Sequence, residues 1–248
     1  MPLLLHNPHS ILAALKTRPR EVLQISLPRS KAHDGWEQVE SVAREFKIPI
    51  TQTAPAKGRP APGGSHDGGR ESQASASIKE REGISAEELF SGAQKRAGGK
   101  GLWLALDSLQ DPHNVGAIFR AAAFFGVQGV LVTEERSAPL SSAAYDVASG
   151  GLEYVPFALQ TNLQRAFEIA KEAGLWILGT SEHANDDLKS IQPDRPWLLV
   201  LGNEEKGMRR LTEESCDVLC KIPATGKVTS LNVSVAAGIF IAHFTQGT

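Results

Sequence analysis

The chain has 248 residues, with 26 Lys/Arg against 28 Asp/Glu for a net charge of −2, and 41% of its residues are hydrophobic. That is apolar material for one large domain or two ordinary ones, and too little positive charge to coat nucleic acid by bulk electrostatics. The longest apolar runs fall far short of a membrane span and the opening Met1-Pro-Leu-Leu-Leu-His6 is too short for a signal peptide, so a cytoplasmic protein without a membrane partner is expected.

In chain order, Ser10 to Leu15 is a helical pattern ended by Arg18-Pro19, and Glu21 to Ser26 alternates as a strand. Gly35 to Phe46 reads as an amphipathic helix with Trp36, Val39, Val42, Ala43 and Phe46 on one side, and Ile48-Pro49-Ile50 as a short second strand. Composition then shifts to Pro, Gly, Ser and Ala, and the stretch Lys57 to Arg70 is expected to be mobile. Ser85-Ala-Glu-Glu looks like the start of a helix running from Ile84 to Ala97, and Gly98-Gly99-Lys100-Gly101 breaks the pattern again.

From Leu102 onward strands and helices alternate. Strands are expected at Leu102–Leu106, Gly129–Thr133, Leu175–Thr180, Trp197–Leu201 and Val218–Ile222, and helices at Val115–Phe125, Ser141–Ala148, Leu163–Ala173 and Ser230–Phe244. Such alternation builds a parallel sheet with helices on both faces and ligands beyond the carboxyl ends of its strands. The fold class is therefore α/β. The domain reading is a small α/β unit over residues 1–75, a linker over 76–101 and a larger α/β domain over 102–248.

Charge divides the same way. Residues 1–60 carry nine Lys/Arg against five Asp/Glu, whereas residues 102–248 carry eleven against seventeen, so a basic front is joined to an acidic body. Either the front meets an anion or its charges form a solvated face. The two cysteines, Cys216 and Cys220, stand four apart without histidines at metal-ligand spacing and read as buried thiols. No Gly-x-Gly-x-x-Gly follows the strand at Leu102, and neither a P-loop nor a nucleophile elbow occurs, which argues against a dinucleotide-binding domain, a P-loop enzyme and a serine hydrolase.

What the strand ends carry instead is a polar set: Asp107, Asn114 and Arg120 after the first, Glu204 in the loop Gly202-Asn-Glu-Glu-Lys-Gly207, and Ser230 and Asn232 after Ile222-Pro-Ala-Thr-Gly226. Glycine after a buried strand lets the backbone approach a ligand closely. Arg120 is the one charge on an otherwise apolar helix and needs a partner or an opening, because burying it unpaired is costly. It is either a structural ion pair with Glu204 or an anion-facing group held by that carboxylate. His113 reads as a turn residue.

The three stretches Asp107 to Gly126, Leu201 to Gly207 and Ile222 to Ala237 resemble, in this order, the three motifs of the SpoU branch of SPOUT RNA methyltransferases. His6 to Leu23 is similar, more loosely, to the ribosomal-protein-L30e-like substrate domain of the two-domain members, which modify 23S ribosomal RNA. Where those front domains commonly end near a His-Gln-Gly segment, this chain has Ser65-His-Asp-Gly-Gly-Arg70. The resemblance implies a catalytic domain with a trefoil knot, a homodimer, no metal, and S-adenosylmethionine-dependent methylation of a ribose 2′-hydroxyl, with guanosine in 23S RNA as the target. A transfer-RNA 2′-O-methyltransferase and a non-catalytic RNA-binding protein of the same fold remain the alternatives. By resemblance, Arg120, Asn114, Glu204, Ser230 and Asn232 form the catalytic set, and main-chain groups at Gly202, Ile222 and Leu231, with Thr180, hold the cofactor. Lys16, Arg18, Arg20, Arg29 and Lys31 are the expected RNA phosphate contacts.

Overall fold

A computed structural model of the protein describes residues 2–28, 35–53 and 74–246. Arg29, Lys31, the stretch 57–70 and its His66 segment lie outside the described residues.

The front of the chain forms β1 (Leu3–Leu5), α1 (Pro8–Thr17), β2 (Val22–Pro28), α2 (Trp36–Glu45) and β3 (Ile50–Thr53), and it is completed by β4 (Ser75–Ile78). The sheet order is β1-β4-β2-β3, with β4 antiparallel to both neighbours and β2 parallel to β3. Asn7 caps α1 by accepting the His9 amide, and Pro8 takes the first helical position, where no amide is needed. The strand expected from Ile48 begins only at Ile50, because Pro49 has no N–H for the ladder; its carbonyl does accept the Ile25 amide. Three residues of β4, Ala76 to Ile78, fall within 76–101, so the start of that stretch belongs to an interior strand of the front sheet.

Along the chain between the two sheets comes α3 (Ala86–Phe90), with Ser85 as its cap. It is far shorter than the helix expected over Ile84 to Ala97. Gly92 adopts the left-handed conformation that stops it, and a 3-10 segment (Ala93–Gly99) follows.

The second sheet is built from β5 (Leu102–Leu106), α4 (Pro112–Phe125), β6 (Gly129–Thr133), α5 (Ser142–Ala148), α6 (Gly151–Tyr154), β7 (Phe157–Gln160), α7 (Leu163–Glu172), β8 (Trp176–Thr180), β9 (Asp186–Asp187), β10 (Trp197–Leu201), α8 (Arg210–Glu214), β11 (Val218–Lys221) and α9 (Val233–Gln246). All its pairings are parallel, in the order β7-β6-β5-β10-β8-β11-β9. β5, β6 and β10 are buried throughout. Their alternate residues feed two cores: Leu104, Leu106, Leu199 and Leu201 pack with residues of α4 and α9, and Trp103, Ala105, Leu198 and Val200 with residues of α3 and α7.

The late strand β10 inserts between β5 and β8. Leu201 therefore pairs with Leu106, while Cys220 of β11 pairs with Thr180 of β8. The loops that leave these four strands emerge side by side.

Candidate functional site

The loop that leaves β10 is folded by its own polar side chains. Asn203 and Gly207 exchange backbone hydrogen bonds of 2.9 and 3.0 Å, and the Asn203 Oδ1 accepts the amides of Glu205 and Lys206. A β-carbon on Gly202 would run into the backbone of Gly207 and Met208, so the turn closes only over glycine. At the end of the loop the buried Asp107 accepts Arg209 Nε at 2.7 Å and the Arg209 amide at 3.0 Å, fastening it to the end of β5. Asp107 is thus a clasp for the site rather than a group presented to a ligand. Neither Asn203 nor Arg209 is in the polar set read from the sequence, although the position of Asn203 between Gly202 and Glu204 carries the turn signal.

Glu204, Asn114 and Asn232 join three of those loops, the ones after β5, β10 and β11, in one relay. Glu204 Oε1 accepts Asn114 Nδ2 at 3.1 Å and the Asp111 amide at 3.3 Å, and Oε2 accepts the Gln110 amide at 3.3 Å. Asn114 Oδ1 accepts Asn232 Nδ2 at 3.0 Å, and Asn232 Oδ1 accepts the amides of Ser234 and Val235 at the start of α9. The direction of the relay follows from chemistry. An ionised carboxylate only accepts, so it must face an NH₂; this turns the Asn114 oxygen to Asn232, and the Asn232 oxygen to the helix amides. Partial burial pushes the Glu204 carboxyl up, but hydrogen bonds from Asn114 and from the backbone amides of Glu204, Gln110 and Asp111 outweigh it and hold the group below its ordinary value. Asn232 is therefore both a helix cap and a link to Asn114, which is why α9 starts at Val233 and not at Ser230.

Beside the relay lies a cavity of about 600 Å³ walled by the strand ends. Thr180, Gly202, Ile222 and Leu231 all line it, together with Glu204, Ser230, Met208 and Phe240. The Thr180 hydroxyl donates to the Val200 carbonyl, so it is turned into the sheet. Leu231 and Ser230 are exposed on the cavity wall.

Arg120 stands apart. Its side chain is exposed, and among the described residues no hydrogen bond or ion pair joins it to Glu204. Both expected forms of that contact are corrected by helix geometry: six residues beyond Asn114 is a turn of about 240° around α4, away from the face that meets Glu204. The opening required for a lone charge is solvent. Arg18, expected on the RNA surface, is committed inward, with Nη2 2.7 Å from Glu153 Oε1 and Nη1 2.6 Å from Glu21 Oε2. Lys16 and Arg20 are exposed. Burial pushes the Cys216 and Cys220 thiols up to about 12, which keeps both protonated and inert. Among the described residues no group of three or more His, Cys, Asp or Glu is placed to hold a metal, and no helix is long and apolar enough to cross a membrane. His113 follows the Asp111 cap, with its amide bonded to Asp111 Oδ1.

Comparison with known proteins finds a family, two relatives and two solved structures. The model of the SpoU rRNA Methylase family matches residues 101–242. The 23S rRNA (guanosine-2′-O-)-methyltransferase RlmB of Pseudomonas aeruginosa is 38% identical over 232 residues, which is 93% of this chain and 91% of that protein. The putative TrmH family tRNA/rRNA methyltransferase YacO of Bacillus subtilis is 33% identical over 94% of this chain and 91% of its own length. Among solved structures, the SpoU methyltransferase AviRb from Streptomyces viridochromogenes superposes with a TM-score of 0.78 at 20% identity, covering 99% of this chain and 89% of that one. Its complex with AdoMet superposes at 0.76 with 20% identity, covering 99% and 90%.

Proposed function

The chain belongs to the SpoU rRNA methylase family, and from that premise we propose that it methylates the ribose 2′-hydroxyl of a guanosine in 23S ribosomal RNA. The observation that carries the site assignment is the convergence of three separate loops on one cavity, with the Glu204–Asn114–Asn232 relay along its edge.

The cavity fits S-adenosylmethionine in size, in its glycine-closed turn at Gly202 and in the carboxylate of Glu204 on its wall. Main-chain groups at Gly202, Ile222 and Leu231 would hold the cofactor, with Thr180 contributing its backbone at the neighbouring strand end. When bound, the cofactor supplies an electrophilic methyl group on a cationic sulfur. The relay keeps the two loops and α9 in register around it. Alignment of a nucleophile with such a carbon supplies on the order of 7–11 kcal/mol in favourable cases.

Arg120 carries donors only and stays protonated far above neutral pH. In this reading it holds the phosphate beside the target ribose and stabilises negative charge developing on the 2′-oxygen. Ser230, on the cavity wall, contacts the same ribose. Because Arg120 lies on the exposed face of α4 one turn before the exposed Phe124, and α9 beside it exposes Val235 and Ile239, we place a second copy of the chain against this surface, forming a homodimer. The order of the strands, with β10 inserted between β5 and β8, is compatible with a trefoil knot closed by the carboxyl-terminal segment. The front unit is read as an L30e-like platform on which Lys16 and Arg20, with Arg29 and Lys31, meet RNA phosphates in the cytoplasm.

Purified protein given labelled S-adenosylmethionine should transfer label to unmodified 23S RNA, at a guanosine 2′-oxygen. Label in transfer RNA alone would overturn the substrate reading while keeping the chemistry. Arg120→Ala should abolish transfer and leave cofactor affinity within about twofold; substantial remaining turnover would count against the assigned role.

A further inference from the structure

The front unit meets α5 and α6 of the larger unit, and the contacts are directional, running from exposed amides to a buried carboxylate. Arg18 follows α1 and forks onto Glu153 of α6, with Nε 2.8 Å from Oε2 and Nη2 2.7 Å from Oε1. Its remaining nitrogen, Nη1, reaches Glu21 and the Lys79 carbonyl, both at 2.6 Å. The Glu153 side chain is 0% exposed and that of Arg18 11%. At the other end of α1 the Asp146 carboxylate accepts the amides of His6 and Asn7 at 2.9 and 2.8 Å, and Ser10 Oγ donates to the Tyr145 carbonyl at 2.6 Å. After β4, Arg81 Nη1 donates to the carbonyls of Leu152 and Val155 at 2.6 and 2.9 Å.

The opposite side of α6 bears on the functional helix. A β-carbon on Gly151 would stand 2.5 Å from the Phe119 carbonyl oxygen and 2.9 Å from the Arg120 amide nitrogen. α5 does the same one turn earlier, since a β-carbon on Gly116 of α4 would stand 2.5 Å from the Ala144 carbonyl oxygen. Two glycines thus let α5 and α6 press backbone to backbone on α4, next to Arg120. One four-residue helix therefore grips the front unit through Glu153 and seats Arg120 through Gly151.

We infer that the Arg18–Glu153 pair is a latch that fixes the front unit in one orientation relative to Arg120, so that both residues are positioning residues for RNA. The inference rests on the functional reading above. A covalent tether alone would leave the platform free to turn. A bidentate guanidinium–carboxylate pair in a buried setting tolerates little rotation, and lysine, a point charge on a flexible stem, cannot reproduce the fork. A buried ion pair gives little net stability over a well-packed apolar pair of the same volume, so orientation rather than stability is what it supplies here.

The test uses the full chain with spin labels on the exposed Gln52 and Glu168, one in each unit, and two variants: Arg18→Lys, and the volume-conserving pair Arg18→Met with Glu153→Leu. In a variant that folds, the distance distribution between labels should broaden and kcat/KM for 23S RNA should fall about tenfold, with cofactor Kd within about twofold of the parent. The reciprocal exchange, Arg18→Glu with Glu153→Arg, should recover part of both losses. A folded variant with parental kcat/KM, or a kinetic loss with an unchanged distribution, overturns the latch. If the parent itself methylates no RNA, the functional reading fails, and the distance distribution still decides whether the pair fixes the two units.

Discussion

Glu153 sits on a helix packed against α4 and Glu204 is bonded to Asn114 of α4, and the fold satisfies them in opposite ways. Glu153 is wholly buried and meets a permanent cation, so its charge is cancelled where it stands. Glu204 is exposed at the cavity and is held by neutral donors, the side chain of Asn114 and the amides of Gln110 and Asp111. Among the described residues no cation pairs with it. Neutral dipoles stabilise a carboxylate while leaving its field intact, whereas an ion pair extinguishes the field along with the desolvation problem. The first arrangement suits architecture; the second leaves a negative charge on the wall of the cavity.

This contrast is broken most severely at Glu153. Glu153→Ala takes the fork partner from the buried Arg18 guanidinium, leaving it Glu21 and the Lys79 carbonyl through Nη1 alone, and should lower unfolding free energy by up to about 3–5 kcal/mol in urea titrations. Glu204→Ala should cost far less, because its donors can turn to water. Equal losses at the two sites would erase the distinction. The next largest effect falls on the loop that carries Glu204. Gly202→Ala places a methyl against the fixed backbone of Gly207 and Met208 and should weaken cofactor binding at least about tenfold by calorimetry. Gly226→Ala, whose β-carbon would meet nothing within 4 Å, should leave affinity within about twofold and serves as the control. Asn232→Ala removes both a helix cap and the second link of the relay. A loss of about 1 kcal/mol in thermal unfolding is expected, with a fall in kcat and cofactor affinity retained.

These sites were not equally legible in the sequence. The buried strands β5, β6 and β10 announce themselves as apolar runs, and their order along the chain gives the parallel sheet. β4 does not, because Ser75-Ala-Ser-Ile78 offers small residues whose strand pairing depends on β1 and β2. Asn114, Glu204 and Asn232 could be named from their motifs, but the amide relay among them depends on a register between β5 and β10 that no local pattern encodes. Arg18 shows the limit most plainly. In sequence it is one of several basic residues on a basic front, and only Glu153, 135 positions away, reveals it as an interior group. Arg120 shows the other direction: a lone charge on an apolar helix called for a partner or an opening, and the helix turns it to solvent, away from the Glu204 contact that was expected.

The smallest effect is the one that isolates Glu204. Its carboxyl lies below the ordinary value in the folded protein, so ionised Glu204 contributes stability that is fully present above about pH 4.5 and is lost as pH falls through the depressed folded value. Because the group is largely solvent-exposed, screening limits this contribution to well under ~1 kcal/mol. Glu204→Gln keeps an oxygen for Asn114 but turns an NH₂ toward the amides of Gln110 or Asp111, and it cannot titrate. The stability gap between parent and variant should therefore be constant from pH 6 to 8 and close below about pH 4.5, measured by urea unfolding at each pH. A gap that persists unchanged into strong acid would mean that Glu204 is held by shape rather than by charge.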